Sequence, residues 1–450
     1  MNKRVLFIFP PPDKLKETRF GAPLGILYLS SELISAGYEV KLADFNVEKY
    51  DLDKIRNLLE GKDIVGISIP SYSLNNGCKI IRDIREISSD IPIVAGGPDC
   101  ILFPRLVEGT DVTVINEAED TIVAIFDSIL KRRDLSKCQG VIFKDQVTGE
   151  VKYGVSPVLK NNLNHIKFPA RHLINNYAAC GGTQIKSPNL PKSTLMLTSR
   201  GCPFHCRFCA RDALSYSNYR ERSVDNVLEE IEEIYRAGYK VLWISDDNFT
   251  VNTDRAYKIM EGIISLNLKI VLAFSSWVGA ANEDLFLKFK EAGGRIISFG
   301  LESGNQDVLD FYRKPITLDK IRYAVELADK CGLFTAGNFI FGSPMETKEH
   351  LRKTLEFAER LPLDTVNFKV LGYMAGSNLW AEAVKDGKIL EDERNVFADK
   401  KRGLGNFDIE ELLEFTKSAY KEFCHDKRRQ ERLKNKIKRL GLPYPILMRQ

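Results

Sequence analysis

The residues best placed to do chemistry are three cysteines in the run Gly201-Cys202-Pro203-Phe204-His205-Cys206-Arg207-Phe208-Cys209. Their C-x3-C-x2-C spacing puts three thiols on one short loop, after the apolar run 195–198, which reads as a buried strand. Three thiolates can hold three corners of a cubane iron–sulfur cluster, and the fourth iron is then left without a protein ligand. An open position of that kind is where a substrate or cofactor binds, by the logic that separates catalytic from structural metal sites. Zinc would want a fourth ligand at a conventional spacing, and the loop's one histidine, His205, lies between two of the thiols. The remaining cysteines are scattered singly, so packing does not account for three so close together.

Such a loop needs a rigid scaffold. Residues 191–372 repeat a strand–helix unit about six times, with strand candidates at 193–199, 240–245, 270–275, 295–300, 334–341 and 366–371. Helices at 224–237, 256–266, 283–292, 318–330 and 348–361 carry apolar residues at three- and four-residue spacing. This predicts a partial (β/α)6 TIM-like barrel with its active site at the C-terminal ends of the strands. Polar motifs fall at those ends, among them Ser245-Asp246-Asp247-Asn248-Phe249. The two carboxylates there suit either a ligand's amino group or the cap of the following helix.

Residues 1–135 alternate Val- and Ile-rich strands with amphipathic stretches, which predicts a five-stranded, doubly wound parallel sheet of flavodoxin-like type. Ligands bind such sheets beyond the strand ends. Here those ends are Pro10-Pro11-Pro12, Ser71-Tyr72-Ser73, Gly96-Gly97-Pro98-Asp99 and Asn116-Glu117-Ala118-Glu119. Residues 136–190 read as a connector with a hairpin turning at 145–149, and Cys180-Gly181-Gly182 as a loop cysteine beside a flexible glycine pair. Residues 373–450 read as a helical appendage. Its basic run, 427–439, is expected to be a solvated helix with Leu433, Ile437 and Leu440 docked inward rather than an RNA or anionic-lipid site.

With Phe208 just before its last cysteine, the loop resembles the signature of the radical S-adenosylmethionine (SAM) enzymes. Further resemblances follow in the family's order: Gly300-Leu301-Glu302-Ser303-Gly304 with its sequel Arg313-Lys314-Pro315-Ile316-Thr317, and the run from Gly337 to Thr347. The first domain looks like the cobalamin-binding domain of the cobalamin-dependent subfamily, through Pro23-Leu24-Gly25-Ile26-Leu27-Tyr28-Leu29 and Gly37-Tyr38-Glu39-Val40. The resemblance implies a 4Fe-4S cluster on Cys202, Cys206 and Cys209. It implies SAM contacts from Phe208, Asp246, Glu302, Ser303, Ile340 and Gly342, and cobalamin contacts from Ser71, Ser73, Gly96, Gly97 and Glu117. It further implies reductive cleavage of SAM to a 5′-deoxyadenosyl radical, an external electron donor of flavodoxin or ferredoxin type, and methyl transfer from methylcobalamin. Some positions depart from the pattern. Asp99 stands where the family has histidine, there is no Asp-x-His-x-x-Gly motif, and Trp277-Val278-Gly279-Ala280-Ala281 lacks an expected arginine. Tyr373-Met374-Ala375-Gly376-Ser377 replaces a usual Pro-x-Pro-Gly-Thr.

Composition narrows the class. At 450 residues, 44% hydrophobic and 28% charged, the chain is long enough for two or three soluble domains. A net charge of +4 predicts no stable nucleic-acid partner, and no run is long enough for a transmembrane segment. Nine cysteines do not make a disulfide scaffold, so a reducing cytoplasm is expected. The reading is a cobalamin-dependent methyltransferase acting on an unactivated carbon of a small-molecule, lipid or peptide substrate. Its competitors are a radical cyclase or carbon–carbon coupling enzyme, and a non-catalytic cobalamin- or SAM-binding regulator. A methylthiotransferase would need three more cysteines in the first domain, and none precedes Cys78.

Overall fold

Short Val- and Ile-rich runs, apolar on both faces, are stable as parallel strands only where helices cover both sides. The computed structural model describes residues 3–13, 21–145, 147–174, 177–180 and 183–186 (backbone only in these last two), and 191–442. Two compact units result, 1–178 with 182–189 and 179–181 with 190–450. Gly181, Gly182, Pro188 and the side chain of Cys180 lie outside the described residues.

In the first unit β1 (Lys3–Phe9), β2 (Tyr38–Asp44), β3 (Ile64–Ser68), β4 (Ile93–Gly96) and β5 (Val112–Val114) run parallel in the order β2-β1-β3-β4-β5. Helices α1 (Leu24–Ser35), α2 (Leu52–Leu59), α3 (Leu74–Ile87), α4 (Pro98–Leu102) and α5 (Ile122–Leu130) connect and cover them. Leu6, Ile8, Ile67, Ile80 and Ile84 fill one face, and Val5, Phe7, Val94 and Phe126 the other. These are the five parallel strands expected. The hairpin β6 (Val141–Lys144) and β7 (Val151–Tyr153), read from sequence as part of a connector, adds antiparallel to β5 and makes a mixed seven-stranded sheet. Without it β5 would be an unpaired edge.

Strands β8 (Tyr177–Cys180) and β9 (Thr183–Lys186) follow in the chain. In the second unit β10 (Ser193–Met196) leads into a small antiparallel pair, β11 (Ser199–Arg200) and β12 (Arg220–Glu221), which brackets the cysteine loop and helix α6 (Arg211–Leu214). Then come α7 (Val224–Arg236), β13 (Val241–Ile244), α8 (Thr253–Ser265), β14 (Val271–Ser276), α9 (Glu283–Glu291) and β15 (Gly294–Glu302). After them lie α10 (Gln306–Phe311), α11 (Leu318–Lys330), β16 (Phe334–Phe341), α12 (Lys348–Arg360) and β17 (Thr365–Val370). These six strands are all parallel in the order β10-β13-β14-β15-β16-β17, and among the described residues β10 and β17 do not pair with each other, so the barrel is partial as expected. Beyond it are β18 (Gly372–Met374), α13 (Asn378–Lys385), β19 (Asn395–Phe397), α14 (Ile409–His425) and α15 (Lys427–Leu440).

Strand alternation divides this sheet into two faces. Leu242, Ile244, Phe274, Ile297, Phe299 and Phe339 pack outward in the main helix-covered core. The opposite parity lines the inside, where Val241, Ala273, Ile296 and Phe334 are buried with Ile437 and Leu442. Helix α15 therefore closes the barrel at the N-terminal ends of its strands. Ile437 is buried, with Leu433 and Leu440 partly so, as the apolar spacing implied. The cations, however, are not all solvated. Lys436 is buried against Asp364 (2.7 Å) and Asp329 (2.6 Å), and Arg432 reaches Asp364 and the Pro362 carbonyl. Arg429 donates to the carbonyls of Leu363 and Glu359 (2.7 Å each) and stacks 3.7 Å over Phe423. The Glu359 carbonyl, in the last turn of α12, lacks an intrahelical donor, and those of Pro362 and Leu363 follow in the loop; the guanidinium groups supply donors to all three. Removing one member of a buried ion pair strands its partner's charge. Lys436→Ala should accordingly destabilise the second unit by about 3 kcal/mol. Urea unfolding of the purified chain measures this, and a loss under about 0.5 kcal/mol, as at an ordinary surface site, would contradict it.

Candidate active site

The cysteine loop begins where β10 ends, and a buried carboxylate fixes that point. Asp246, at the end of β13, accepts from the Thr198 backbone N–H (2.6 Å), the Thr198 hydroxyl (2.5 Å) and the Ser199 hydroxyl (2.7 Å). Burial pushes its pKa up, while those bonds and the nearby Arg255 oppose the rise. Arg255 itself donates to the Thr198 carbonyl (2.7 Å), and Arg222 to that of Leu197 (2.8 Å). Gly201 has φ +84°, and a Cβ there would lie 2.1 Å from the Asn218 carbonyl, so only glycine lets the loop pass. Its N–H donates to Asp247, which also pairs with Arg211 at 2.9 Å.

On this base Cys202, Cys206 and Cys209 are each half-buried, with the Cys209 N–H donating to the Cys206 carbonyl (3.0 Å). Burial pushes all three thiols up, Cys206 to about 11. Such thiols ionise only against local positive charge, which bound iron supplies and Lys314 adds to. His205 is turned away, exposed and 2.8 Å from Asp212. No three His, Cys, Asp or Glu side chains among the described residues converge on a single metal ion. A cubane does not need that, because each thiolate takes its own iron.

The strand β15 supplies the next element. Its ladder with β16 is irregular between Gly300 and Glu302, and Glu302 takes the left-handed φ of +63°. A bulge of this kind re-aims a side chain and is a common device beside active sites. Here it turns Glu302 onto Lys314, at 2.8 Å. A Cβ at Gly300 would lie 2.6 Å from the Glu302 carboxylate and 3.0 Å from the Lys314 ammonium, so Gly300 makes room for the pair. Burial alone would lower the Lys314 pKa. Glu302 and the cysteine thiols outweigh it and hold the ammonium above its ordinary value. Lys314 is thus a half-buried cation beside the cysteines, visible in sequence only as part of the Arg313-Lys314-Pro315 run.

A third anchor lies under the loop. Tyr312 is fully buried, accepts the Arg207 N–H at its carbonyl (3.0 Å) and meets Phe208 edge-on at 5.1 Å. Beyond β16, Gly342 at φ +103° and Ser343 donate their N–H groups to Glu346 Oε2 (2.7 and 2.8 Å). Glu346 Oε1 and the Ser343 hydroxyl are buried without a hydrogen-bond partner. Burial raises the Glu346 pKa to about 7, against the pull of those two N–H groups. Phe208 and Ile340 rest on one apolar cluster with Met345.

The cysteines, Phe208, Glu302, Ile340 and Gly342 thus share one end of the barrel, and two expected SAM contacts do not join them. Asp246 has its oxygens taken by the start of the loop, so it is a positioning residue. Ser303 is fully buried, its hydroxyl 3.2 Å from that of Thr354 and accepting the Asn305 N–H, and it packs against α12. A motif spacing does not reveal this, because β15's bulge changes which way each side chain after Gly300 points.

In the first unit the expected cobalamin residues gather at the ends of β3, β4 and β5. Ser71 and Ser73 hydroxyls and the Asn116 carbonyl oxygen are buried without hydrogen-bond partners. Gly97 has φ +103°, and a Cβ there would come within 2.9 Å of the Ile69 nitrogen. Gly96 pairs beside it on β4 through Ser68, and Glu117 is half-buried on the loop after β5. Orphaned polar atoms around a bare glycine cradle suit a large polar ligand.

The Radical SAM superfamily profile matches residues 196–358 and that of the B12 binding domain residues 18–126. The chain is 30% identical over 432 residues to an uncharacterised methyltransferase of Pyrococcus horikoshii, covering 93% of this chain and 92% of that protein. It is 25% identical to the cytidylyl-2-hydroxyethylphosphonate methyltransferase of Streptomyces wedmorensis, over 89% of this chain and 86% of that one. Its fold matches the cobalamin-dependent SAM radical enzyme OxsB, solved with aqua-cobalamin and SAM, with a TM-score of 0.71 at 18% identity, covering 98% of this chain and 75% of that one.

Two outcomes test the geometry. Asp246→Ala should reduce iron retained after anaerobic reconstitution by more than about half, with Cys202, Cys206 and Cys209 intact; undiminished iron would deny the anchoring role. Glu346 titrates upward on folding, from 4.5 to about 7, so its contribution to stability is full below pH 4.5 and is lost as pH rises through 7. Glu346→Gln should flatten that part of the pH dependence in urea unfolding between about pH 5 and 8, and parallel curves would refute the assignment.

Proposed function

The chain belongs to the B12-binding radical SAM superfamily, whose members work with a 4Fe-4S cluster, SAM and cobalamin, and we propose that within it this protein is a methyltransferase acting on an unactivated carbon. The observation that carries this reading is the pairing in one chain of a cysteine-loop barrel with a B12-type sheet, together with similarity over about nine-tenths of its length to two proteins named as methyltransferases.

When bound, the cluster supplies the electron that opens SAM, and cobalamin supplies the methyl group. The chain's own residues do the rest. Cys202, Cys206 and Cys209 would hold three irons and leave the fourth to SAM. Lys314, held by Glu302, sets a half-buried positive charge beside the thiolates. Phe208 and Ile340 offer apolar surface, and the loop at Gly342, pinned by Glu346, offers backbone. Asp246, Arg255 and Arg222 fix the loop's entry, so that the reacting groups meet in one geometry. In the first unit Ser71, Ser73, Gly96, Gly97 and Glu117 would hold the corrin. The electron comes from an external flavodoxin- or ferredoxin-type donor.

Anaerobic reconstitution with iron, sulfide and hydroxocobalamin should give about four irons per chain and stoichiometric cobalt. The triple variant Cys202→Ala, Cys206→Ala, Cys209→Ala should lose the iron and keep the cobalt. Product mass should rise by one methylene unit when a substrate turns over. Iron without cobalt, or a product of unchanged carbon count, would overturn methyl transfer and leave radical chemistry of another kind.

A further inference from the structure

The inside of the partial barrel changes character from one end to the other. At the end closed by α15 it is apolar, with Val241, Ala273, Ile296 and Phe334. Moving along the same strand parity toward the cysteine loop, the inward residues become Ser298 on β15, Asn338 on β16, and Asn367 and Lys369 on β17. Asn367 Nδ2 donates to Asn338 Oδ1 (3.0 Å), and Asn338 Nδ2 to Ser298 Oγ (3.0 Å) and the Phe299 carbonyl (3.0 Å). Asn338 is thereby saturated as a donor. The row leaves over the Ser298 O–H, the Asn367 carbonyl oxygen and one Asn367 N–H. Two residues further along β17, level with Ile340, Lys369 is exposed, and among the described residues no carboxylate pairs with it. Trp277, one step past β14 and 4.7 Å from Phe204 of the cysteine loop, keeps a buried indole N–H without a partner.

Ligand sites are recognised by a few placed polar groups on an otherwise apolar wall, and a buried polar group left unpaired by its ligand weakens binding. A hydrogen-bonding row ending in an unpaired cation at the cofactor end of the barrel fits a polar substrate with a negatively charged group. It suits a wholly apolar lipid poorly, because that would cover Ser298 and Asn367 without pairing them. We infer that this face is the substrate pocket and that its ligand is a small anionic molecule, a carboxylate or a phosphoryl compound. Lys369 takes the anionic group, and Asn367 with Ser298 takes a hydroxyl or amide. Asn338 is a positioning residue that orients both. The inference rests on the radical-enzyme reading of the barrel and names the substrate class that the methyl-transfer reading leaves open.

The test is calorimetric titration of the reconstituted, SAM-bound enzyme with methylphosphonate, with acetate, and with uncharged propane-1,2-diol. Methylphosphonate or acetate should bind the wild type, and Lys369→Gln should weaken that binding at least about tenfold, which is about 1.4 kcal/mol. The same variant should leave diol binding and SAM affinity within about twofold, while Asn367→Ala weakens the diol. Lys369 is exposed, so its variant folds. Failure of the wild type to bind either anion, or unchanged binding by Lys369→Gln, overturns the inference. So does an equal loss of SAM affinity, which would assign Lys369 to the cofactor. The titration needs neither reductant nor methyl transfer. Its failure leaves the cobalt and product-mass results standing, and their failure leaves it readable.

Discussion

A carboxylate removed from water is tolerated only when other groups replace its hydration, and Asp246 meets that condition with three hydrogen bonds from two consecutive residues, Thr198 and Ser199. The rest of the site depends on this exchange. Those residues lie just ahead of the cysteine loop, separated from Gly201 by one residue, so the bonds that repay burial of the charge also fix where three thiols leave the barrel. Arg255 and Arg222 add donors to the same short stretch, and Gly201 lets it turn under the Asn218 carbonyl. The loop needs no secondary structure of its own, because strand ends hold its entry and Tyr312, at the end of α10, holds its underside.

The second device is a local strain placed where it is useful. Glu302 in a left-handed conformation is a cost that a regular strand would avoid. In return its carboxylate meets Lys314 beside the cysteines, in space that Gly300 leaves free. Lys314, half-buried, is kept charged by Glu302 and by the thiols. Each of the three charged components is expensive alone, and together they compensate.

The same logic runs at the opposite end of the barrel. Helix α15 carries a run of cations that a count of charges assigns to solvent or to an anionic partner. Arg429, Arg432 and Lys436 instead satisfy carbonyls and two aspartates at the bottom of the barrel, while Ile437 fills its base. The barrel is thereby plugged at one end and polar at the other, which confines chemistry to the end that bears the cysteines.

The sequence by itself determined the cysteine triplet, the six strand–helix units, the five parallel strands of the first sheet and the order of the motifs. Spacing of apolar residues and of thiols is local information, and it survives without knowledge of what packs where. Membership of the hairpin β6–β7 in the first sheet, the roles of Asp246 and Ser303, the place of Lys314 and the burial of Lys436 were decided only by tertiary structure. In each of these cases the deciding fact is a partner distant in the chain: Thr198 for Asp246, Thr354 for Ser303, Asp364 for Lys436. A residue's type states which bonds it can make. Which of them it does make depends on what the fold brings within three ångströms and shields from water.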